Sequence, residues 1–227
     1  IYVKENGKET KLVFSGDLGQ PDQPILRDPT VIHGADFVIT ESTYGDRLHQ
    51  LYDKETALIE IVNETMDRGG NLIIPSFAVG RTQTLLYYFF RLHREGRLDP
   101  DIPIIIDSPL AINATRVFLK NFRDFDEDAL KVFGKNGKVP DFPQVRLCET
   151  AAESRALNSS EGSAIIISAS GMADAGRVLH HLKHNLWRPE CRVLFVGYQA
   201  VGTLGRTLIE GATDVKLFGE AIEVRAE

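Results

Sequence analysis

Short runs of apolar, mostly β-branched residues recur along the chain at 11–15, 37–40, 71–75, 103–106, 144–147, 164–168, 192–196 and 214–218. Runs such as Leu72-Ile73-Ile74 and Ile104-Ile105-Ile106 are apolar at consecutive rather than alternate positions. That pattern predicts strands covered on both faces, as in parallel α/β sheets. Between the runs the period lengthens to that of a helix. Asp53 reads as an N-cap, and Leu58, Ile61, Val62, Thr65 and Met66 hold the 3.6-residue period until Gly69-Gly70 stops it. Further helices are predicted at 81–94, at 109–121 with Ser108 as N-cap and Pro109 first, at 171–185 and at 203–210. The alternation predicts an α/β fold with a mostly parallel sheet flanked by helices on both faces. Residues 122–143 interrupt it. The run Gly134-Lys135-Asn136-Gly137-Lys138 reads as a loop beyond a short helix rather than as a domain linker.

Composition narrows the function classes. Of 227 residues, 43% are hydrophobic and 26% charged, which excludes disordered and collagen-like chains and leaves material for a substantial core. Thirty-two acidic against 26 basic residues give a net charge of −6, so wholesale electrostatic binding of nucleic acid is not indicated, while a local basic groove is compatible with it. Two cysteines, Cys148 and Cys191, without CxxC spacing exclude a disulfide framework and a Cys-rich zinc site, and point to a reducing cytoplasm. No apolar run approaches the ~20 residues of a membrane span. The first residues, Ile-Tyr-Val-Lys, read as a strand already under way, and Ile222-Glu223-Val224-Arg225 as another alternating stretch, so both ends are expected to be cut from something longer.

In open α/β sheets chemistry gathers at the carboxyl ends of the strands. Here those ends are polar: Ser15-Gly16-Asp17-Leu18-Gly19, Glu41-Ser42-Thr43-Tyr44-Gly45-Asp46-Arg47, Ser76 to Arg81, Asp107-Ser108-Pro109, Ser168-Ala169-Ser170-Gly171-Met172, and Gly197 to Thr203. Asp17, bracketed by glycines, suits a divalent metal or an acid–base role, and equally a turn that hydrogen-bonds its own backbone. Glu41 carries the same choice, with capping of the following turn as its structural alternative. The turns at 168–172 and 197–203 resemble anion sites, with small residues, hydroxyls and backbone N–H groups at a strand-to-helix junction. Arg81, Arg177 and Arg206 lie in or just beyond such turns and are candidates to meet phosphate, against ordinary capping and surface arginines. Gly197 to Thr203 lacks the Lys-Ser/Thr of a P-loop, which excludes that ATPase signature. His180 and His184 share the i, i+4 spacing of HExxH without its glutamate, so a solvated face or a phosphate contact outweighs zinc. No GxSxG elbow or Cys–His pairing supports a nucleophilic hydrolase.

Taken together, these segments resemble the beta-CASP branch of the metallo-β-lactamase superfamily, RNA-processing nucleases that include pre-mRNA 3′-end-processing endonucleases and their bacterial and archaeal relatives. Ser15-Gly-Asp-Leu-Gly19 resembles the family's fourth metal motif, whose Asp bridges two zinc ions. Glu41 to Arg47, with His49 after it, resembles the acidic motif A. Phe77-Ala-Val-Gly-Arg81-Thr-Gln83, Asp107-Ser-Pro-Leu-Ala111, Ser170-Gly-Met172 with Gly176-Arg177-Val-Leu-His-His181, and Gly197 to Thr203 follow in the family's order. The family's HxHxDH motif would precede Ile1, and the histidines of motifs B and C would follow Glu227.

The resemblance therefore implies a zinc-dependent endo- or exoribonuclease in which metal-bound hydroxide attacks the RNA phosphodiester, with this polypeptide an inactive piece of it. One ligand cannot hold a two-zinc centre, so none is expected to bind stably here. By the same implication Asp17 is a metal ligand and Glu41 orients the motif B histidine that protonates the leaving group. Arg81, Ser168, Ser170, His180, Gly197 and Thr203 are expected on the substrate side of the cleft. Residues 1–41 and 220–227 are expected to belong to the metallo-β-lactamase domain and 42–219 to the beta-CASP domain. Strand edges stripped of neighbours predict self-association, as a homodimer. The competing readings are a non-catalytic RNA- or phosphate-binding α/β module and an unrelated nucleotide-binding domain.

Overall fold

The computed structural model describes residues 1–46, 48, 52–134, 142–158 and 162–227. Its chain order is β1 (Tyr2–Glu5), β2 (Lys8–Phe14), β3 (Phe37–Ile39), α1 (Lys54–Asp67), β4 (Leu72–Pro75), α2 (Arg81–Arg94), β5 (Ile104–Ile106), α3 (Pro109–Lys120), a 3₁₀ turn (Phe122–Asp124), α4 (Glu127–Phe133), β6 (Val145–Leu147), α5 (Ala151–Leu157), β7 (Ile165–Ser168), α6 (Val178–Asn185), β8 (Arg192–Val193), α7 (Leu204–Ile209), β9 (Asp214–Leu217) and β10 (Glu220–Glu223).

Five strands form one parallel sheet in the order β6-β5-β7-β4-β8. The consecutive apolar residues serve both of its faces. Leu72, Ile74, Ile104, Ile106, Ile165 and Ile167 point to one core with α1, α2 and α3, built on Leu58, Val62, Leu85, Phe89, Leu92 and Ile112. Ile73, Ile105 and Ile166 point to the other, which holds Val178, Leu182 and Leu186 of α6 and its end together with Val215 and Leu217 of β9. The connections β4–α2–β5 and β5–α3–β6 move one way along the sheet, and β6–α5–β7 and β7–α6–β8 move back. Crossovers of one hand must then place α2–α3 and α5–α6 on opposite faces, as observed.

Local chemistry accounts for the element ends. The side chains of Asp53, Ser108, Asp126, Thr150 and Thr203 accept from backbone N–H groups of the first turns of α1, α3, α4, α5 and α7. The helix expected over 171–185 begins only at Val178. Ala173 (φ 60°) and Gly176 (φ 86°) turn the backbone through the left-handed region, and the Ser170 N–H bonds the Ala175 carbonyl, so 170–177 is a compact loop. Helix α5 lay outside the periodic pattern, although Thr150 and Glu153 spell a capping box that marks its start. Strand β8 stops at Val193, short of the expected 196. The short helix before Gly134 is α4, and the stretch 135–138 lies outside the described residues.

A second, three-stranded sheet joins β1 to β2 antiparallel and β2 to β3 parallel. It leaves apolar side chains in water on both sides of β3, with Phe37 and Val38 each about three-fifths exposed. Ile25, in the loop between β2 and β3, is buried against Phe125, and its carbonyl accepts from the Asp126 N–H. None of the described helices is long and apolar enough to cross a membrane.

Both cysteines are free and buried. Burial, helped by the negative charge of Asp107, pushes the Cys148 thiol up to about 11, and burial raises Cys191 as well. The thiolate is the reactive form, so in the native protein at pH 8 neither thiol should react with a disulfide reagent within minutes, and both should react after unfolding. A thiol that titrates at once in the native state would contradict this packing.

Candidate functional site

The carboxyl edge of the five-stranded sheet is tied together turn by turn. Next to β7, the turn after β4 begins with Ser76, whose N–H donates to the Ser168 carbonyl (3.0 Å). Thr82 closes that turn, its hydroxyl donating to the Phe77 carbonyl (2.8 Å). Gly171 sits so close to Phe77 that an added Cβ would meet the Phe77 ring at 2.8 Å and its backbone N at 3.0 Å. From the loop after β8, buried Gln199 donates through Nε2 to the carbonyls of Gly171 (2.9 Å) and Gly197 (3.2 Å). The start of α7 joins the same cluster: the Leu204 N–H reaches Asp174 Oδ1 (2.8 Å) and the Gly205 N–H the Met172 carbonyl (3.0 Å).

Behind these turns lies a buried ionic centre. Asp107, fully buried just beyond β5, accepts from Arg177 (2.7 Å) on Oδ1, and on Oδ2 from the Ser154 hydroxyl (2.5 Å) and His181 Nε2 (2.6 Å). Arg177 also donates to the carbonyls of Cys148 (2.9 Å) and Glu149 (3.2 Å), and Ser168 Oγ donates to the Asp107 carbonyl (2.9 Å). The Asp107 carboxylate thus ties the end of β5 to α5 and α6, Arg177 extends the link to the carbonyls after β6, and the Asp107 backbone carbonyl takes the end of β7. Burial pushes the Asp107 carboxyl up, but the hydrogen bonds from His181, Ser154 and Arg177 outweigh it and hold the group below the ordinary aspartate range. Among the described residues His181 Nδ1 is buried without a partner.

The structure distributes the residues singled out in the sequence over two places. Asp17 and Glu41 stand at the ends of the paired strands β2 and β3, Asp17 exposed and Glu41 half-buried. Glu41 accepts from the Leu18 N–H (2.8 Å) and the Thr43 hydroxyl (2.7 Å), and these two bonds, the Thr43 one first, lower its pKa. Ser168, Ser170, Gly197 and Thr203 collect on the larger sheet. Ser168 is buried and committed to the Asp107 carbonyl; Ser170 Oγ accepts from the Asp174 N–H (3.2 Å); Thr203 Oγ1 caps α7 and donates to the Ala200 carbonyl (2.7 Å). Arg81 is exposed at the first position of α2. His180 is exposed in the first turn of α6, stacked on Phe218 with ring centroids 4.5 Å apart. An edge-to-face contact of Tyr44 with Tyr198, at 5.9 Å, connects the segment after Glu41 to the loop that follows β8. His49 and Arg47 lie outside the described residues.

Sequence reasoning gave no role to Asp107, Ser154, His181 or Gln199. Asp107 had a usable signal: a carboxylate directly after a strand apolar on both faces lands in the interior and must find cations or donors there. The residues present do not fit a two-zinc centre. Among those described, no three His, Cys, Asp or Glu side chains converge on one point, and both oxygens of Glu41 are engaged.

A parallel sheet whose polar turns form one continuous edge is the arrangement in which open α/β domains place their ligands at the carboxyl ends of the strands. A Beta-Casp domain matches residues 82–208, more than half of the chain, and the protein belongs to that family. It is 39% identical over 228 residues to ribonuclease TTHA0252 of Thermus thermophilus, covering 99% of this chain and 52% of that protein. It is 36% identical over 231 residues to an RNase J-like protein of Methanocaldococcus jannaschii, covering 100% of this chain and 52% of that protein. With transcription termination factor FttA of Methanosarcina mazei it shares 30% over 215 residues, 92% of this chain and 33% of that protein. The chain spans about half the length of the first two relatives.

Proposed function

We propose that the chain is the substrate-gripping part of a zinc-dependent ribonuclease that hydrolyses RNA phosphodiesters in the cytoplasm. The observation that carries this is the 39% identity, over 99% of the chain, to a protein named as a ribonuclease. The polar edge supports it, because exposed Arg81 and the Ser170 hydroxyl, which accepts from Asp174 and keeps its own proton to donate, suit a phosphodiester backbone. Two free cysteines support the compartment. Asp17 is assigned as one ligand of a two-zinc centre and Glu41 as the carboxylate that holds a histidine in position. Glu41 is a carboxylate at neutral pH, as that task needs, and the bonds from Thr43 and Leu18 favour its ionised form further. The described donors do not complete a metal centre, and the 227-residue polypeptide is assigned as inactive. Residues 42–219 are assigned to the beta-CASP domain and the flanks to the metallo-β-lactamase domain. The apolar residues exposed on β3 support self-association there.

Fluorescence anisotropy with an end-labelled single-stranded oligoribonucleotide, together with a gel assay for cleavage, tests the reading. The chain should bind with an affinity that falls steeply with salt, and leave the RNA intact. Arg81→Ala should weaken binding about threefold to tenfold and lower the salt slope by about 0.7–1, without changing the unfolding midpoint. Failure of the native chain to bind RNA at low salt would overturn the assignment.

A further inference from the structure

Strands β9 and β10 are joined by Phe218-Gly219, a two-residue turn with φ of 50° and 86°. Turns of this kind need positive φ at both positions and favour Asn or Gly at the first. A bulky aromatic residue there is a conformational outlier, and Phe218 is 54% exposed and outside the buried core. The tip is nevertheless fixed. Val215 and Leu217 bury the hairpin in the core that also holds Val178 and Leu182 of α6. Lys183 of α6 pairs with Glu220 at 2.7 Å. The Phe218 ring stacks on His180 at 21° between planes. Because His180 lies in the first turn of α6, just beyond the loop that follows β7, the ring pair stands beside the sheet's polar edge. Lys216, two residues before Phe218, is exposed.

We propose that the exposed His180–Phe218 ring pair is a stacking platform for one base of a single-stranded RNA held along this edge. The proposal rests on the RNA reading above. A flat aromatic surface accepts any base, because every base offers a π-face, and the neighbouring lysine suits the adjoining phosphate. His180 thereby acts as the backing of the platform rather than as a hydrogen-bond donor to phosphate.

The test uses single-stranded oligoribonucleotides with 2-aminopurine placed at successive positions. Stacking on the platform should quench the fluorescence at one position when the native chain binds. Phe218→Asn suits the turn better than phenylalanine, so the unfolding midpoint should stay or rise, while the quench disappears and affinity falls about tenfold to a hundredfold. Phe218→Tyr, which keeps the ring, should restore both. If Phe218→Asn retains the quench and the affinity, or if Phe218→Tyr loses them equally, the platform is overturned while RNA binding stands. If the native chain binds no RNA, the platform and the ribonuclease reading fall together.

Discussion

Replacing Asp107 by alanine should destabilise the protein by about 3 kcal/mol or more, because it takes the acceptor from the buried Ser154 hydroxyl and His181 N–H and the counter-charge from half-buried Arg177. For a chain of this size that corresponds to a fall in unfolding midpoint of roughly 6–20 °C. The loss is larger than for any exposed ion pair on the molecule, such as Lys4–Glu9, where water and salt screen the attraction. It also falls beside the edge itself: without the carboxylate, Arg177, Ser154 and His181 lose their common acceptor, and α5 and the start of α6 are no longer fastened through it to the end of β5. Acid should act in the same direction. Asp107 has a lower pKa folded than unfolded, so its stabilising contribution is fully present above the ordinary aspartate pKa of about 3.9 and is lost as the pH falls through the lower, folded value. Differential scanning calorimetry between pH 3 and 7 reads both effects. Asp107→Ala should flatten the acid limb of the stability profile and lower the neutral plateau. An unchanged neutral midpoint would show that the buried centre does not hold the fold together.

The second large effect is expected at Gly70→Ala. Gly69 and Gly70 follow α1 directly and their roles differ. Gly69 has φ of 74° with open space where a Cβ would stand, so Gly69→Ala meets only the left-handed backbone cost of about 1 kcal/mol. At Gly70 an added Cβ would lie 1.8 Å from the Glu190 carbonyl oxygen and 2.3 Å from its carbon. Both obstacles are backbone, and they belong to the segment that leads into β8, the strand paired with β4. No rotamer change relieves the contact, so the two segments must separate. The cost should reach about 3 kcal/mol, the upper end of the range for overpacked sites. Equilibrium urea denaturation of the two variants should therefore rank Gly70→Ala well below Gly69→Ala. Equal midpoints would mean that β4 and β8 approach less closely than the structure shows.

The same pair of glycines shows what a pattern conveys and where it stops. Gly69-Gly70 marks the end of α1 in the sequence because neither residue supports a helix, but nothing local says that one glycine serves the helix end and the other a strand 120 residues away. The run 171–185 teaches the converse. Its composition suits a helix, yet tertiary bonds from Ala169, Met172 and Asp174 to 178, 205 and 204 hold the first part as a loop. Helix α5 was legible only as a cap, through Thr150 and Glu153, since seven residues are too few for a period to stand out.

What the sequence determined by itself is the class of fold, most of the strands and helices, the polar character of the strand ends, and the family. Each depends on neighbours in the chain: consecutive branched residues demand cover on two faces, caps and glycines bound the helices, and motifs keep their order whatever lies between them. Only the tertiary structure decided which polar residues face inward. Ser154, Arg177 and His181 lie 47 to 74 residues from Asp107, and their bonds to it arise because β5, α5 and α6 converge. Burial then reverses the meaning of a residue type. Ser168, a hydroxyl at a strand end, is spent on a carbonyl inside, whereas Phe218, an apolar ring, is held in water, because a hydrogen bond or a stacking face has value only where the fold brings its partner.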